Sequence, residues 1–192
     1  MKRYILSVVC CLLSVVLTAQ GLSEQKIIQK MASAAEKIKT VQCNFTQRKQ
    51  SKMLKGEQVS EGKMYCQQPD KLRWEYTSPR ASTLVLDGNE ARLLKGTEQG
   101  TRNKFIASMA RMIMNSVAGK DLTDNKTFQV TAKEVPTKYV ATLIPLKKDM
   151  KRLYSKLILH FDIKQETVTE IELHEKNGDR TIIELHDIQI NK

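Results

Sequence analysis

The chain has 192 residues, four cysteines and a formal net charge of +11, with aromatic side chains making up only 5% of it. That length suits one domain with a real core and is short for two. The basic balance favours acidic partners, either anionic head groups or acidic protein surfaces, and the absence of an arginine-rich run or stacking motif excludes nucleic acid as the expected partner.

The chain opens as a secretory leader, with Lys2 and Arg3 ahead of an apolar run from Tyr4 to Leu17 and then Thr18-Ala19-Gln20-Gly21. The run is shorter than the roughly 20 apolar residues a spanning helix needs, so residues 1–20 are read as a removed signal peptide and 21–192 as a single exported domain. Cys10 and Cys11 lack the preceding pattern of a lipid-modified cysteine. Cys43 and Cys66 remain after processing, in a compartment that permits disulfides.

From Ser23 to Lys39 the apolar residues Ile27, Met31, Ala34, Ala35 and Ile38 recur at helical steps, with Ser23 as N-cap. Val41, Cys43 and Phe45 then alternate with polar residues, a polar stretch follows around Lys52 to Gly56, and Val59 to Cys66 returns as a second strand. A hairpin centred between Leu54 and Lys55 places Phe45 opposite Met64 and Cys43 opposite Cys66. The cysteines could there form a disulfide or stay as two small buried hydrophobes. After the Pro69-Asp70 turn, Leu72, Trp74 and Tyr76 form one face of a strand ended by Pro79, and Thr83 to Asp87 pairs through Asp87-Gly88 with Ala91 to Lys95.

Asn103 to Val117 changes period: Phe105, Met109, Met112 and Ile113 share a helical face, and Gly119 is placed to stop the helix. Strands then resume at Thr127 to Ala132, Tyr139 to Ile144, Tyr154 to Phe161, Thr167 to His174 and Thr181 to Ile190. Matching Ile171 and Leu173 to Leu185 and Ile183 joins the last two through the three-residue loop Asn177-Gly178-Asp179. The fold class is α+β and mostly β: an incomplete, strongly curved antiparallel β-barrel, with the N-terminal helix and the inserted helix lidding its concave face. Composition alone would also fit an ordinary sheet-plus-helix core.

No catalytic constellation is legible. His160, His174 and His186 each fall on a strand, and the last hairpin's register sets His174 opposite Ile182 and His186 opposite Glu170, apart from each other. Metal-ligand spacings, a nucleophile elbow and a phosphate loop are all missing, so the expectation is a non-enzymatic protein without metal or cofactor. The methionine-rich helix suits either core packing or an adaptable cover for acyl chains.

The ordered series Phe45-Thr46-Gln47, Glu61-Gly62, Gln67-Gln68-Pro69-Asp70-Lys71-Leu72-Arg73-Trp74-Glu75-Tyr76-Thr77-Ser78-Pro79 and Leu84-Val85-Leu86-Asp87-Gly88 resembles the outer-membrane lipoprotein carrier family, with good coverage from Ile27 to Leu94 and a looser match at Thr142 to Lys147. The resemblance implies a monomeric periplasmic carrier that takes acylated lipoproteins from an inner-membrane ABC transporter complex and hands them to an outer-membrane acceptor. Carried over by residue, Phe45, Leu72, Trp74 and Leu86 line or border the lipid cavity. Strand alternation and helical phase add Met64, Tyr76, Leu84, Phe105, Met109, Met112 and Ile113. Two departures stand out: Gln68 occupies the place of a family arginine before the turn proline, and the chain stops at Lys192, ahead of the extra C-terminal strand of longer members. These departures leave room for another acyl lipid, a glycolipid or a polyene, as cargo. The alternative reading is a sensor or adaptor of the same fold in envelope signalling.

Overall fold

A computed structural model describes residues 22–53, 56–88, 90–94, 101–102 and 104–192, without the side chains of 101–109. The expected leader and its cleavage site, and Lys95 at the end of the fifth strand, lie outside the described residues. Helix α1 (Glu24–Glu36) precedes strands β1 (Thr40–Gln50), β2 (Glu57–Gln67), β3 (Lys71–Ser78), β4 (Ser82–Asp87), β5 (Glu90–Leu94) and the two-residue β6 (Thr101–Arg102). Helix α2 (Lys104–Val117) and a 3-10 turn (Lys120–Leu122) interrupt the strands. The chain finishes with β7 (Phe128–Val135), β8 (Lys138–Pro145), the short α3 (Lys148–Leu153), β9 (Tyr154–Asp162), β10 (Thr167–Glu175) and β11 (Arg180–Ile190). α3 is absent from the sequence reading because Lys148-Asp149-Met150-Lys151-Arg152-Leu153 has no apolar periodicity to report.

All strands join one antiparallel sheet in the order β6-β5-β4-β3-β2-β1-β11-β10-β9-β8-β7. Two meanders meet where β1 pairs with β11, and the end strands β6 and β7 do not pair with each other, so the sheet is not closed into a barrel. Its curvature follows from what α2 touches. β5 and β10 lie six strand spacings apart, about 29 Å along the sheet at about 4.8 Å each, whereas the 14-residue helix is only about 21 Å long. α2 nevertheless contacts both strands. The sheet therefore wraps around it, while α1 lies over β7, β8 and β10.

Both halves place alternate residues on the concave side. Val41, Cys43 and Phe45 on β1, Leu72 and Trp74 on β3, Leu157, Leu159 and Phe161 on β9, and Ile183 and Leu185 on β11 are all buried. Gly119 ends α2 at φ 66°, and a Cβ there would lie 2.3 Å from the Ala35 Cβ, so a glycine both turns the chain and lets the two helices meet.

The two hairpins expected from apolar matching are both displaced by two residues. Cys43 pairs with Met64, Cys66 with Val41 and Phe45 with Gly62. At the other hairpin Ile171 pairs with Ile183, Leu173 with Thr181 and His174 with Arg180. A slip of two keeps every side chain on its own face, so hydrophobic pattern cannot choose between the alternatives. Turn chemistry does: Gly178 at φ 88° sits in a loop closed by the Glu175 N–H donating to the Asp179 carbonyl at 2.9 Å, and the Asp179 carboxylate takes the Lys52 N–H at 3.0 Å and the Ser51 hydroxyl at 3.2 Å.

The corrected register also explains Gly62. Without a side chain it admits the Phe45 ring, and an added Cβ would fall 1.9 Å from the Glu75 carbonyl oxygen and 2.5 Å from Phe45 Cζ. Gly62→Ala is expected to destabilise the fold by about 2 kcal/mol or more, read as a lower urea midpoint at unchanged slope; an unshifted midpoint would contradict this packing.

Candidate functional site

The concave face is where the expected lipid contacts converge. Phe45, Met64, Leu72, Trp74 and Leu86 are each at most 2% exposed, Leu84 is 7% exposed, and Met112 and Ile113 on α2 are buried with them. Phe45 stacks on Trp74 with ring centroids 4.0 Å apart, and Tyr76 meets the Phe45 edge at 5.4 Å while its hydroxyl donates to Gln47 Oε1 at 3.0 Å. Phe105 and Met109 lie on α2, but their side chains fall outside the described residues. Sequence reasoning left out the second half of this surface: Tyr139 on β8, Leu157 to Phe161 on β9 and Ile171 on β10. The same period-two alternation marked them.

These side chains pack on one another, so the described interior is occupied by protein. Access lies beside α1. A groove of about 720 Å³ runs between α1 and β7, lined by Ile28, Leu122, Phe128, Val130 and Leu146 among others. A second groove of about 480 Å³ on the far side of α1 combines Tyr139, Phe161 and Ile163 with Lys26, Lys30 and Lys37. The C-terminal end of α1 is pinned: Gln68 Nε2 donates to the Ile38 carbonyl at 2.6 Å, Asn191 Nδ2 donates to the Lys37 carbonyl at 2.8 Å, and Asn191 Oδ1 accepts from the Lys39 N–H at 2.7 Å. Gln68 thus ties the β2–β3 turn to the end of a covering helix.

Two polar features break the apolar interior. Cys43 and Cys66 are buried free thiols, the second of the two alternatives left open by the sequence, and they sit diagonally across β1 and β2, not directly opposite each other. Burial, with the neighbouring Cys66 adding to it, pushes the Cys43 thiol up to about 12. Burial likewise takes Cys66 to about 11, so both stay protonated and inert at neutral pH. Asp121, 4% exposed in the 3-10 turn between α2 and β7, accepts from the Ser116 hydroxyl at 3.3 Å. Its burial outweighs that bond and raises it to about 7.

The histidines lie on the convex side. His160 and His174 both meet Glu172, at 2.8 and 3.1 Å, and Arg180 donates to the same carboxylate at 2.7 and 3.0 Å. Cross-strand pairing of β9 with β10 and the two-residue step from Glu172 to His174 bring the histidines to one carboxylate, and the β10–β11 register sets Arg180 opposite His174. Burial alone would raise Glu172, but bonds from His160, Arg180 and His174 hold it at about 2. His160, Glu170 and Glu172 offer ligand atoms within 4.8 Å of one another, yet Arg180 already neutralises Glu172, and an ion-pair network accounts for the cluster. His186 faces Thr46 at 3.2 Å on the exposed surface. Among the described residues no histidine is directed into the concave interior, where a hydrolytic site would need one.

Asp121 binds its proton more tightly in the folded chain than in the unfolded one. Its contribution to stability is therefore fully present below the ordinary carboxylate range and is lost as pH rises through about 7. Asp121→Asn is expected to be more stable than the parent at pH 8, by up to about 4 kcal/mol, with the gain vanishing toward pH 4. Urea midpoints across that range check it, and parallel profiles for the two proteins would rule it out.

Comparison with known proteins agrees with this architecture. A curated outer-membrane lipoprotein carrier protein of Pseudomonas putida (strain W619) is 25% identical over 166 residues, covering 86% of this chain and 77% of its own. A carrier of the same description from Yersinia enterocolitica is 31% identical over 83 residues, 43% of this chain and 40% of its own. Among solved structures, a domain described as an outer membrane lipoprotein-sorting protein from Vibrio parahaemolyticus superposes with a TM-score of 0.51 at 11% identity, over 88% of this chain and 92% of that one. The Pseudomonas aeruginosa MucA/MucB complex gives 0.52 at 10% identity, over 87% of this chain and 56% of the matched one. The model of the outer membrane lipoprotein carrier protein LolA family matches residues 36–192, and with that match, the open antiparallel sheet and its covering helices, the chain belongs to the LolA family of lipoprotein carriers.

Proposed function

We propose that this protein is exported to the periplasm by its N-terminal leader and there shields the acyl chains of lipoproteins, receiving them from an inner-membrane ABC transporter complex and delivering them to an outer-membrane acceptor. The observation that carries the reading is the continuous apolar concave face, shared by both meanders and covered, among the described residues, by α1, α2 and the 3-10 turn. Each CH₂ removed from water is worth about 0.8 kcal/mol, so acyl chains can take over the role that α1 and α2 play in covering the sheet. Flexible Met64, Met112 and Met114 suit a surface that must repack around chains of irregular shape. Trp74 Nε1 is buried with no well-formed hydrogen bond among the described residues, the Tyr76 hydroxyl being near enough to interact; an ester carbonyl of an incoming lipid would accept from it. The carrier needs no covalent step and no cofactor, and it works as a monomer in this reading.

Native mass spectrometry with lipid extraction, on protein recovered from the periplasm, tests the proposal beside Trp74→Arg. Acyl lipid or lipoprotein is expected to co-purify with the parent and to be lost from the variant, with circular dichroism showing that the variant still folds. A parent that remains empty under gentle conditions would favour the sensor or adaptor reading over a carrier.

A further inference from the structure

We propose that one end of the half-barrel, formed by residues 51–53, 146–153 and 176–179, docks on an anionic lipid bilayer. These three segments are joined to one another. The Lys176 N–H donates to the Leu153 carbonyl at 2.8 Å, the Lys52 N–H donates to Asp179 at 3.0 Å, and the Lys52 side chain lies over Gly178, where a Cβ would come within 2.4 Å of it. They therefore present one surface and not three independent loops.

Its composition is one-sided. Lys52, Lys147, Lys148, Lys151, Arg152 and Lys176 are all exposed, against a single exposed acid, Asp149, because Asp179 is buried under its hydrogen bonds. Among these cations stand Met53, 92% exposed, Leu146, 38%, and Leu153, 39%. The opposite end mixes both signs, with Asp70, Asp87, Glu90 and Glu166 among Lys37, Lys39, Lys71, Lys164 and Lys192.

Cations interleaved with protruding apolar side chains match a head-group layer, where lysines meet lipid phosphates and the apolar tips reach the acyl boundary. A protein partner would call for a contiguous apolar centre depleted of charge, whereas Met53 stands on the β1–β2 loop and Leu146 and Leu153 at the two ends of the β8–β9 connection, each next in sequence to a cation. The proposal extends the carrier reading, since a carrier that rests this end on a bilayer shortens the path of an acyl chain into or out of it, but the surface can be tested without cargo.

The test is co-sedimentation of the protein, expressed from its full coding sequence, with vesicles of phosphatidylethanolamine and phosphatidylglycerol and with vesicles of phosphatidylcholine alone. Binding is expected only to the anionic vesicles and is weakened by salt. The double variant Lys148→Glu/Lys151→Glu should reduce it about tenfold or more, and the uncharged Met53→Ser should reduce it at unchanged salt dependence, with lipid extraction showing that acyl cargo is retained in each. Variants that sediment like the parent, equal binding to both vesicle types, or no vesicle binding beside capture of an acidic protein would each overturn the proposal. Loss of cargo with vesicle binding intact would instead count against the carrier reading and leave the docking surface standing.

Discussion

An antiparallel sheet that curls without closing has one apolar face and no second sheet to bury it, and that unpaired face governs the rest of the molecule. In a closed barrel the strands would bury it themselves. Here α1 takes the β7 to β10 side and α2 takes the β4 and β5 side, reaching across to β10. Both helices are held less by their own propensities than by the sheet beneath them. A cover of this kind is exchangeable in principle, because an acyl chain offers the same face the same kind of contact.

The polar groups are distributed accordingly. On the convex face Glu172 gathers His160, His174 and Arg180 into a network that fixes β9, β10 and β11 against one another. Glu172 itself is buried while its partners are partly exposed, so the network ties three neighbouring strands together at the convex surface. The seam under the cover is different. Asp121 beside Ser116 sits at the junction of α2 and β7, and its proton is gained or lost near neutrality. The convex face thus holds these charges paired, and the buried carboxyl bonded to a hydroxyl lies where the cover meets the sheet.

Much of this was legible in the sequence, and the failures have a common cause. Alternation assigned Phe45, Met64, Leu72, Trp74 and Leu86 to the inner face correctly, because face depends only on parity. Register depends on the turn, and both hairpins slipped by two residues since apolar matching scores the two alignments alike. The β1–β2 slip set Cys43 opposite Cys66, whereas the two free thiols lie diagonally, and the β10–β11 slip hid Arg180 opposite His174. The second meander's share of the interior, Leu157 and Ile171 among it, carried the same alternation but went unassigned because the family motifs thin out beyond Leu94. The exposure of Met53 and Leu153 was beyond sequence reading altogether, since only the folded ends of the strands bring them together.

The central claim is that acyl chains enter the space now filled between the helices and the concave face. Trp74 is the only tryptophan in the chain and lies at the centre of that face, stacked on Phe45. Titration with a lysophospholipid brominated along its acyl chain reads entry directly, because bromine quenches indole fluorescence on contact. The account predicts saturable quenching that an unbrominated lipid of the same length reverses. Tight binding of the brominated lipid with Trp74 emission unchanged would place the chain elsewhere and contradict it.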